Sequence, residues 1–277
     1  MTATASRSER TRAKATEPAA RRQSIDWYDL PRYYDIVFDE GTKSEATFLE
    51  RMLEQYGVAR TRRVLEPACG SGRLVAELAA RGHSVTGFDK NRAMLAFAAQ
   101  RLAARGLHAR LVEADLARFS FRERFDLAHC LVSTFKYLTT EDGARAHLRA
   151  VARALAPRGV YVLGLHLTDY GSQRRSRERW VARRGGTSVT CNTQVWPANR
   201  KARLEPVRTR LSVRTRAREA RYETEWSFRT YDARELRALI ASVSALEHVA
   251  TYDFTYGQER QLSDDQLDCV LVLRKRK

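Results

Sequence analysis

From Arg63 to Leu167, short apolar runs alternate with amphipathic stretches, and this rhythm constrains the fold more than any other feature of the chain. RRVLEPACG reads as strand and loop, and GRLVAELAARG as a helix stopped by Gly82. SVTGFD is a second strand. NRAMLAFAAQRLAARG is a helix with Asn91 as N-cap and Gly106 as stop. ARLVEAD and FDLAHCLV are further strands. TTEDGARAHLRAVARALAPRG is a helix with a Thr start signal and a Pro-Arg-Gly stop, and GVYVLGLHL a fifth strand. Each strand–helix–strand crossover lays a helix on a parallel sheet, so both faces become buried. The expected class is α/β, with a doubly wound, mostly parallel, seven-stranded sheet.

After about Tyr170 the period changes from helical to two. In RLEPVRTRLSVRTRAREARYETEWSFRTY, Arg208, Arg210, Arg214, Arg216 and Arg218 share one face, with Val207, Leu211 and Val213 on the other. A two-residue turn at Glu219-Ala220 would pair Arg216 with Glu223 and Arg214 with Glu225. It would also set Val213 opposite Trp226 and Leu211 opposite Phe228, giving an apolar face and a charge ladder. YDARELRALIASV then reads as a helix and LDCVLVLRKRK as a strand rejoining the main sheet.

The net charge of +17 is concentrated in two places. Residues 1–22 hold six bases against two acids, and residues 171–221 fifteen against three. The first stretch has almost no large apolar residue and is expected to be a disordered tail. No run approaches the roughly 18 apolar residues of a membrane helix, and no secretory leader is visible, so a cytoplasmic location is expected. Cys69, Cys130, Cys191 and Cys269 form no Cys-x-x-Cys pair, which argues against zinc and disulfides and for free thiols; no metal site is expected.

Residues 64–72, VLEPACGSG, close the first strand with an acid and two alternate glycines. Such a turn lets backbone approach a ligand at a helix N-terminus. A dinucleotide fingerprint would need glycine at Val75, and a phosphate loop would need Lys at Arg73, so neither fits. Glu66 would repel a phosphate and favours a ligand carrying positive charge. The stretch resembles the first motif of class I S-adenosylmethionine-dependent methyltransferases, with Ala68 where that family usually has its first glycine. The resemblance spans roughly residues 60–170 plus the last strand. It implies that Glu66, Ala68, Gly70 and Gly72 form the cofactor loop and that Asp89, followed by Lys90, holds the ribose hydroxyls. It further implies that Met94 packs on the adenine, Asp115 and the Leu116 N–H read its edge, and Cys130 and Leu131 flank the methionine end. The fold it implies is Rossmann-like, the cofactor S-adenosyl-L-methionine. The expected division is a disordered basic tail (1–24), a cofactor domain with an N-terminal lid helix (25–170), an antiparallel β insert (171–231) and a return to the main sheet (232–277).

Methyl transfer is an in-line displacement that depends on alignment and desolvation, with a base needed only where the acceptor carries a proton. The loop CLVSTFKYL lacks the Asn/Asp-Pro-Pro-aromatic signature of base- and glutamine-modifying families, and the Pro-Cys of cytosine-C5 enzymes. Through Ser133 and Thr134 it resembles small-molecule O- and N-methyltransferases. Such relatives often carry a β excursion over the active site or at a dimer interface, and an Arg-x-Tyr as in Arg229-Thr230-Tyr231. The expected acceptor atom is an O or N of a small molecule, with His166 as candidate base and Tyr34 as a contact from the lid. The chain is expected to be a monomer, or a homodimer through the insert. The basic segments suggest weak polyanion contact and support two rivals: an RNA or protein methyltransferase, and a non-catalytic nucleic-acid binder. Aminopropyl transfer, a third, lacks the acidic excess a polyamine site would need.

Overall fold

The computed structural model describes residues 22–57 and 63–277, which form two sheets. The larger contains β2 (Arg63–Pro67), β3 (Ser84–Asp89), β4 (Arg110–Glu113), β5 (Phe125–Cys130), β6 (Leu155–His166), β11 (Leu246–Tyr252) and β12 (Asp268–Lys275). Their order is β11-β12-β6-β5-β2-β3-β4, and β12 runs antiparallel to both neighbours. This is the expected Rossmann-like α/β architecture. β11 is a strand that the sequence pattern did not single out.

Helices cover both faces, as continuous apolar strands require. α2 (Thr42–Tyr56), α3 (Arg73–Ala80) and α4 (Arg92–Ala104) lie on one side, where Phe48, Met52, Leu78 and Leu127 share a core. On the other side α5 (Glu141–Ala154) and α6 (Ala233–Ala241) pack Leu148 and Leu236 with Phe125, Tyr161 and Leu271. The N-terminal signals act locally as their chemistry demands. Asn91 accepts from the Met94 N–H at 3.0 Å, Thr140 from the Gly143 N–H at 3.1 Å, and Asp232 and Glu235 form a capping box on α6.

The smaller sheet is ordered β1-β10-β9-β8-β7, from β1 (Arg22–Ser24), β10 (Glu219–Arg229), β9 (Leu204–Arg214), β8 (Thr187–Val195) and β7 (Ser176–Arg184). Its apolar face carries Val189, Leu211, Val213 and Tyr222, covered by Trp27 and by α1 (Pro31–Phe38) through Ile36. Two expectations need correction. Arg22–Ser24, assigned to the disordered tail, form a strand parallel to β10, because the backbone ladder does not depend on apolar side chains; the rest of the tail lies outside the described residues. The β9–β10 hairpin turns over Thr215–Arg218, closed by Thr215 N–H to the Arg218 carbonyl at 2.9 Å, and not at Glu219-Ala220. The faces survive, since the slip is an even number of residues, but the partners change. Arg210 pairs with Glu223, Arg208 faces Glu225, Leu211 sits opposite Tyr222 and Val207 opposite Trp226.

Candidate functional site

The loop between β2 and α3 has its backbone in the left-handed region at three alternate positions: Ala68 (φ 51°), Gly70 (φ 52°) and Gly72 (φ 69°). Glycine adopts this region without penalty, whereas alanine at 68 costs about 1–2 kcal/mol. The loop therefore keeps its path despite the departure at its first position. At Gly72 a Cβ would lie 2.6 Å from that of Ala98, so α3 starts against α4 at a distance only glycine permits.

The loop and the end of β3 close around one carboxylate. The Gly70 N–H donates to Asp89 Oδ2 at 2.9 Å and the Asn91 N–H to Oδ1 at 2.8 Å. Burial raises the Asp89 pKa while these N–H groups, Asn91 first, act against it. The carboxylate is held with its remaining lone pairs free to accept.

A cavity of about 290 Å³ opens beside it. Ala68, Gly70, Asp89, Lys90, Asp115 and Leu116 form one side, with Phe88, Asn91 and Ala114. Asp115 also caps its own turn, accepting from the Ala117 N–H at 2.8 Å. The rest of the lining is Asp26, Trp27, Tyr28, Tyr34, Thr134, Tyr137, Leu138, Thr224, Glu225 and Trp226. Tyr28 donates to the Tyr137 hydroxyl at 2.8 Å, leaving the Tyr137 proton free for another acceptor. Trp226 stacks between Trp27 (5.3 Å) and Tyr137 (5.9 Å). Burial raises the pKa of Tyr28, Tyr34 and Tyr137, so all three are neutral phenols. Thr224 fastens the segment, its Oγ1 donating to the Ile25 carbonyl at 2.6 Å and accepting from the Trp27 N–H at 3.1 Å.

Of the residues singled out in the sequence, Ala68, Gly70, Asp89, Lys90, Asp115, Leu116 and Tyr34 line this cavity. Gly72, Met94, Cys130 and Leu131 stand behind it, the last three buried in the core. Glu66 is also behind it, 8% exposed at the end of β2, with Oε2 lacking a hydrogen-bond partner. His166 is elsewhere. β12 pairs with β6 to its last residue, so the exposed ring is drawn to that edge, its Nδ1 2.6 Å from Asp268 Oδ1 and its face against Phe254. No histidine lines the cavity among the described residues, which removes the geometric basis for His166 as base. Trp27, Tyr28 and Tyr137 were missed; the aromatic spacing of IDWYDL and FKYL was the only available signal. Trp226 was read as inward-facing, but not as part of a site.

The comparisons with known proteins agree with this geometry. A family model described as a methyltransferase domain matches residues 64–159. The chain is 34% identical over 100 residues to dTDP-4-amino-2,3,4,6-tetradeoxy-D-glucose N,N-dimethyltransferase of Saccharopolyspora spinosa, covering 36% of this chain and 39% of that one. The chain spans about half the length of the curated relatives it matches first, 56% and 49%. In fold it is similar to an S-adenosylmethionine-dependent methyltransferase of Clostridium acetobutylicum ATCC 824 (TM-score 0.73, 18% identity, 91% of this chain and 99% of that one). It is also similar to the sugar N-methyltransferase KedS8 of Streptoalloteichus sp ATCC 53650 (TM-score 0.70, 19% identity, 97% and 100%). Residues 64–159 thus match a methyltransferase domain, on a strand order and with a loop motif that stand in the same register.

Proposed function

We propose that the chain transfers a methyl group from S-adenosyl-L-methionine to an amino nitrogen of a small-molecule acceptor. The observation that carries this is the two-sided cavity, in which the Asp89–Gly70 cradle faces an aromatic wall across one enclosed space. The cradle suits the cofactor. Asp89 has acceptor capacity left for a vicinal diol; Asp115 and Leu116, on the same cavity, are assigned to the adenine edge, and the unpartnered Oε2 of Glu66 to a cationic group. Bound there, the cofactor supplies a methyl carbon on a positively charged sulfur, open to in-line displacement by a lone pair.

Charge and protonation favour nitrogen over oxygen as acceptor atom. The wall holds four acids, Asp26, Asp89, Asp115 and Glu225, against the single base Lys90. A cationic amine is drawn to such a wall, and its free-base fraction, the proton given up to water, carries the lone pair that attacks. A hydroxyl would need a strong base, and the tyrosines are held protonated. Tyr137 is placed to donate to an acceptor oxygen, while Trp226 and Trp27 give a flat apolar face that excludes water. The amino sugar in the name of one relative, and the name sugar N-methyltransferase of one structural neighbour, support the same reading.

The test is methyl transfer from labelled cofactor to a panel of amino sugars and their hydroxyl counterparts. Label is expected in the amines. Label confined to hydroxyl compounds, RNA or protein would overturn the assignment. Trp226→Ala is expected to raise the acceptor KM about tenfold, the loss of roughly 1.4 kcal/mol of stacking and burial, with cofactor Kd within about twofold.

A further inference from the structure

Buried polar atoms without partners are rare enough that each needs a reason. Three belong to one neighbouring pair: Glu66 Oε2 and both ring nitrogens of His129. Glu66 is at the end of β2 and His129 on the adjacent β5, with Oε2 and Nε2 3.9 Å apart, just beyond hydrogen-bond length. His129 is 1% exposed in a strand whose every residue is buried. An apolar side chain would complete that run, so a histidine with two bare nitrogens is kept at a cost.

The groups around Glu66 decide its charge. From α3, the Arg73 guanidinium attracts it, but is shared with Glu45 of α2 at 2.6 Å; the Val75 backbone bonds the carboxylate. Glu45 and, from β3, Asp89 repel it. Tyr34 of α1, and Cys69 and Cys130, are held neutral by burial. Burial outweighs the attraction and pushes Glu66 up to about 8, while His129 is pushed down to about 3. At neutral pH the pair is a carboxylic acid beside a neutral imidazole.

We propose that His129 is a positioning residue for both states of Glu66: the two groups, 3.9 Å apart here, close to hydrogen-bond length, the ring accepting from the protonated carboxyl or donating to the carboxylate once a ligand ammonium is seated, so that cofactor binding expels one proton. The Glu66 O–H bond breaks, its proton goes to solvent, and the ammonium replaces its charge. Neither ring nitrogen is tied elsewhere, so either carries the ring hydrogen. The inference rests on the cofactor site proposed above. Because the free carboxyl titrates near 8 and the ligand selects the ionised form, affinity rises with pH up to about 8 and is level above it.

The experiment is titration calorimetry with S-adenosylhomocysteine, which keeps the ammonium, in buffers of different ionisation enthalpy between pH 6 and 9. At pH 7 the wild type is expected to release about 0.9 proton, the protonated fraction of a group with pKa 8, and to lose about tenfold in affinity per pH unit below that. Glu66→Gln should release none and bind with a flat profile. His129→Leu should shift the profile upward by about one unit, weakening binding about tenfold at pH 7 and little at pH 9, and His129→Gln, which also donates and accepts, should restore it. Wild-type binding without proton release, or a His129→Leu loss equal at every pH that Gln does not rescue, would overturn the proposal and leave the cofactor site standing. No binding at all would overturn the cofactor site itself.

Discussion

Along β5 every residue from Phe125 to Cys130 is buried, whereas along β7 every residue from Ser176 to Arg184 except Ala182 is exposed. The first strand is held by its side chains, packed on both faces. The second is held by a backbone ladder to β8 and lends α1 only a few contacts, such as Phe38 with Trp180. The cavity lies between sheets built on these two principles. Stability is concentrated where the cofactor cradle stands, and the opposite wall is carried by a sheet with far less burial at stake. A site can then vary its acceptor side without endangering the fold.

The largest effect that would test this contrast is at Leu127, fully buried on β5. Leu127→Ala is expected to cost about 4 kcal/mol in urea denaturation, by lost transfer energy and a residual cavity. A cost below about 1 kcal/mol would mean that the seven-stranded sheet is not the principal source of stability.

Asp35 joins the two halves. It is fully buried on α1, accepts from the Ser71 hydroxyl of the cofactor loop at 2.7 Å, and pairs with Arg101 of α4 and with Arg184 of β7. Asp35→Ala leaves the mostly buried Arg101 with Asp39, at 3.3 Å, in place of two carboxylates, and is expected to cost about 3 kcal/mol. All four tryptophans, Trp27, Trp180, Trp196 and Trp226, lie in the insert or in the segment packed on it. Tryptophan fluorescence therefore reports the smaller sheet, while far-ultraviolet circular dichroism reports both. In the variant the fluorescence transition is expected to precede the dichroism transition; coincident curves would show that the sheets unfold together without this tie.

The smallest effect sharpens the comparison from the other side. Trp180→Ala on β7 should change stability by no more than about 0.5 kcal/mol, because the ring is 37% exposed. A loss several times larger would place β7 within the stabilising core.

What the sequence disclosed follows the same division. Glu66, Asp89 and Asp115 were legible because strand, turn and helix signals fix each strand end locally, and a parallel sheet gathers those ends on one edge. Even Ala68 held its expected path. The hairpin register was not legible, since a two-residue and a four-residue turn satisfy the same alternation of Arg208, Arg210, Glu223 and Glu225. The aromatic wall was hidden for another reason. Trp27 and Trp226 stack across 199 positions of sequence, and no local pattern states that they meet. That His166 pairs with Asp268 and stays off the cavity lining was not legible, because its strand-end position was local and its partner lies 102 residues on.

The stitching of residues 22–28 to β10 has a consequence for how such a protein diversifies. Trp27, Tyr28 and Trp226 belong to two segments fastened to each other by Thr224, and the cofactor motif contributes nothing to that fastening. Exchanging those two short segments together would transplant one face of the acceptor chamber as a unit. Exchanging the β10 segment for one without a hydroxyl at position 224 would leave the Ile25 carbonyl and the Trp27 N–H unmatched, whereas the N-terminal segment meets Thr224 through backbone alone and is free to vary its side chains.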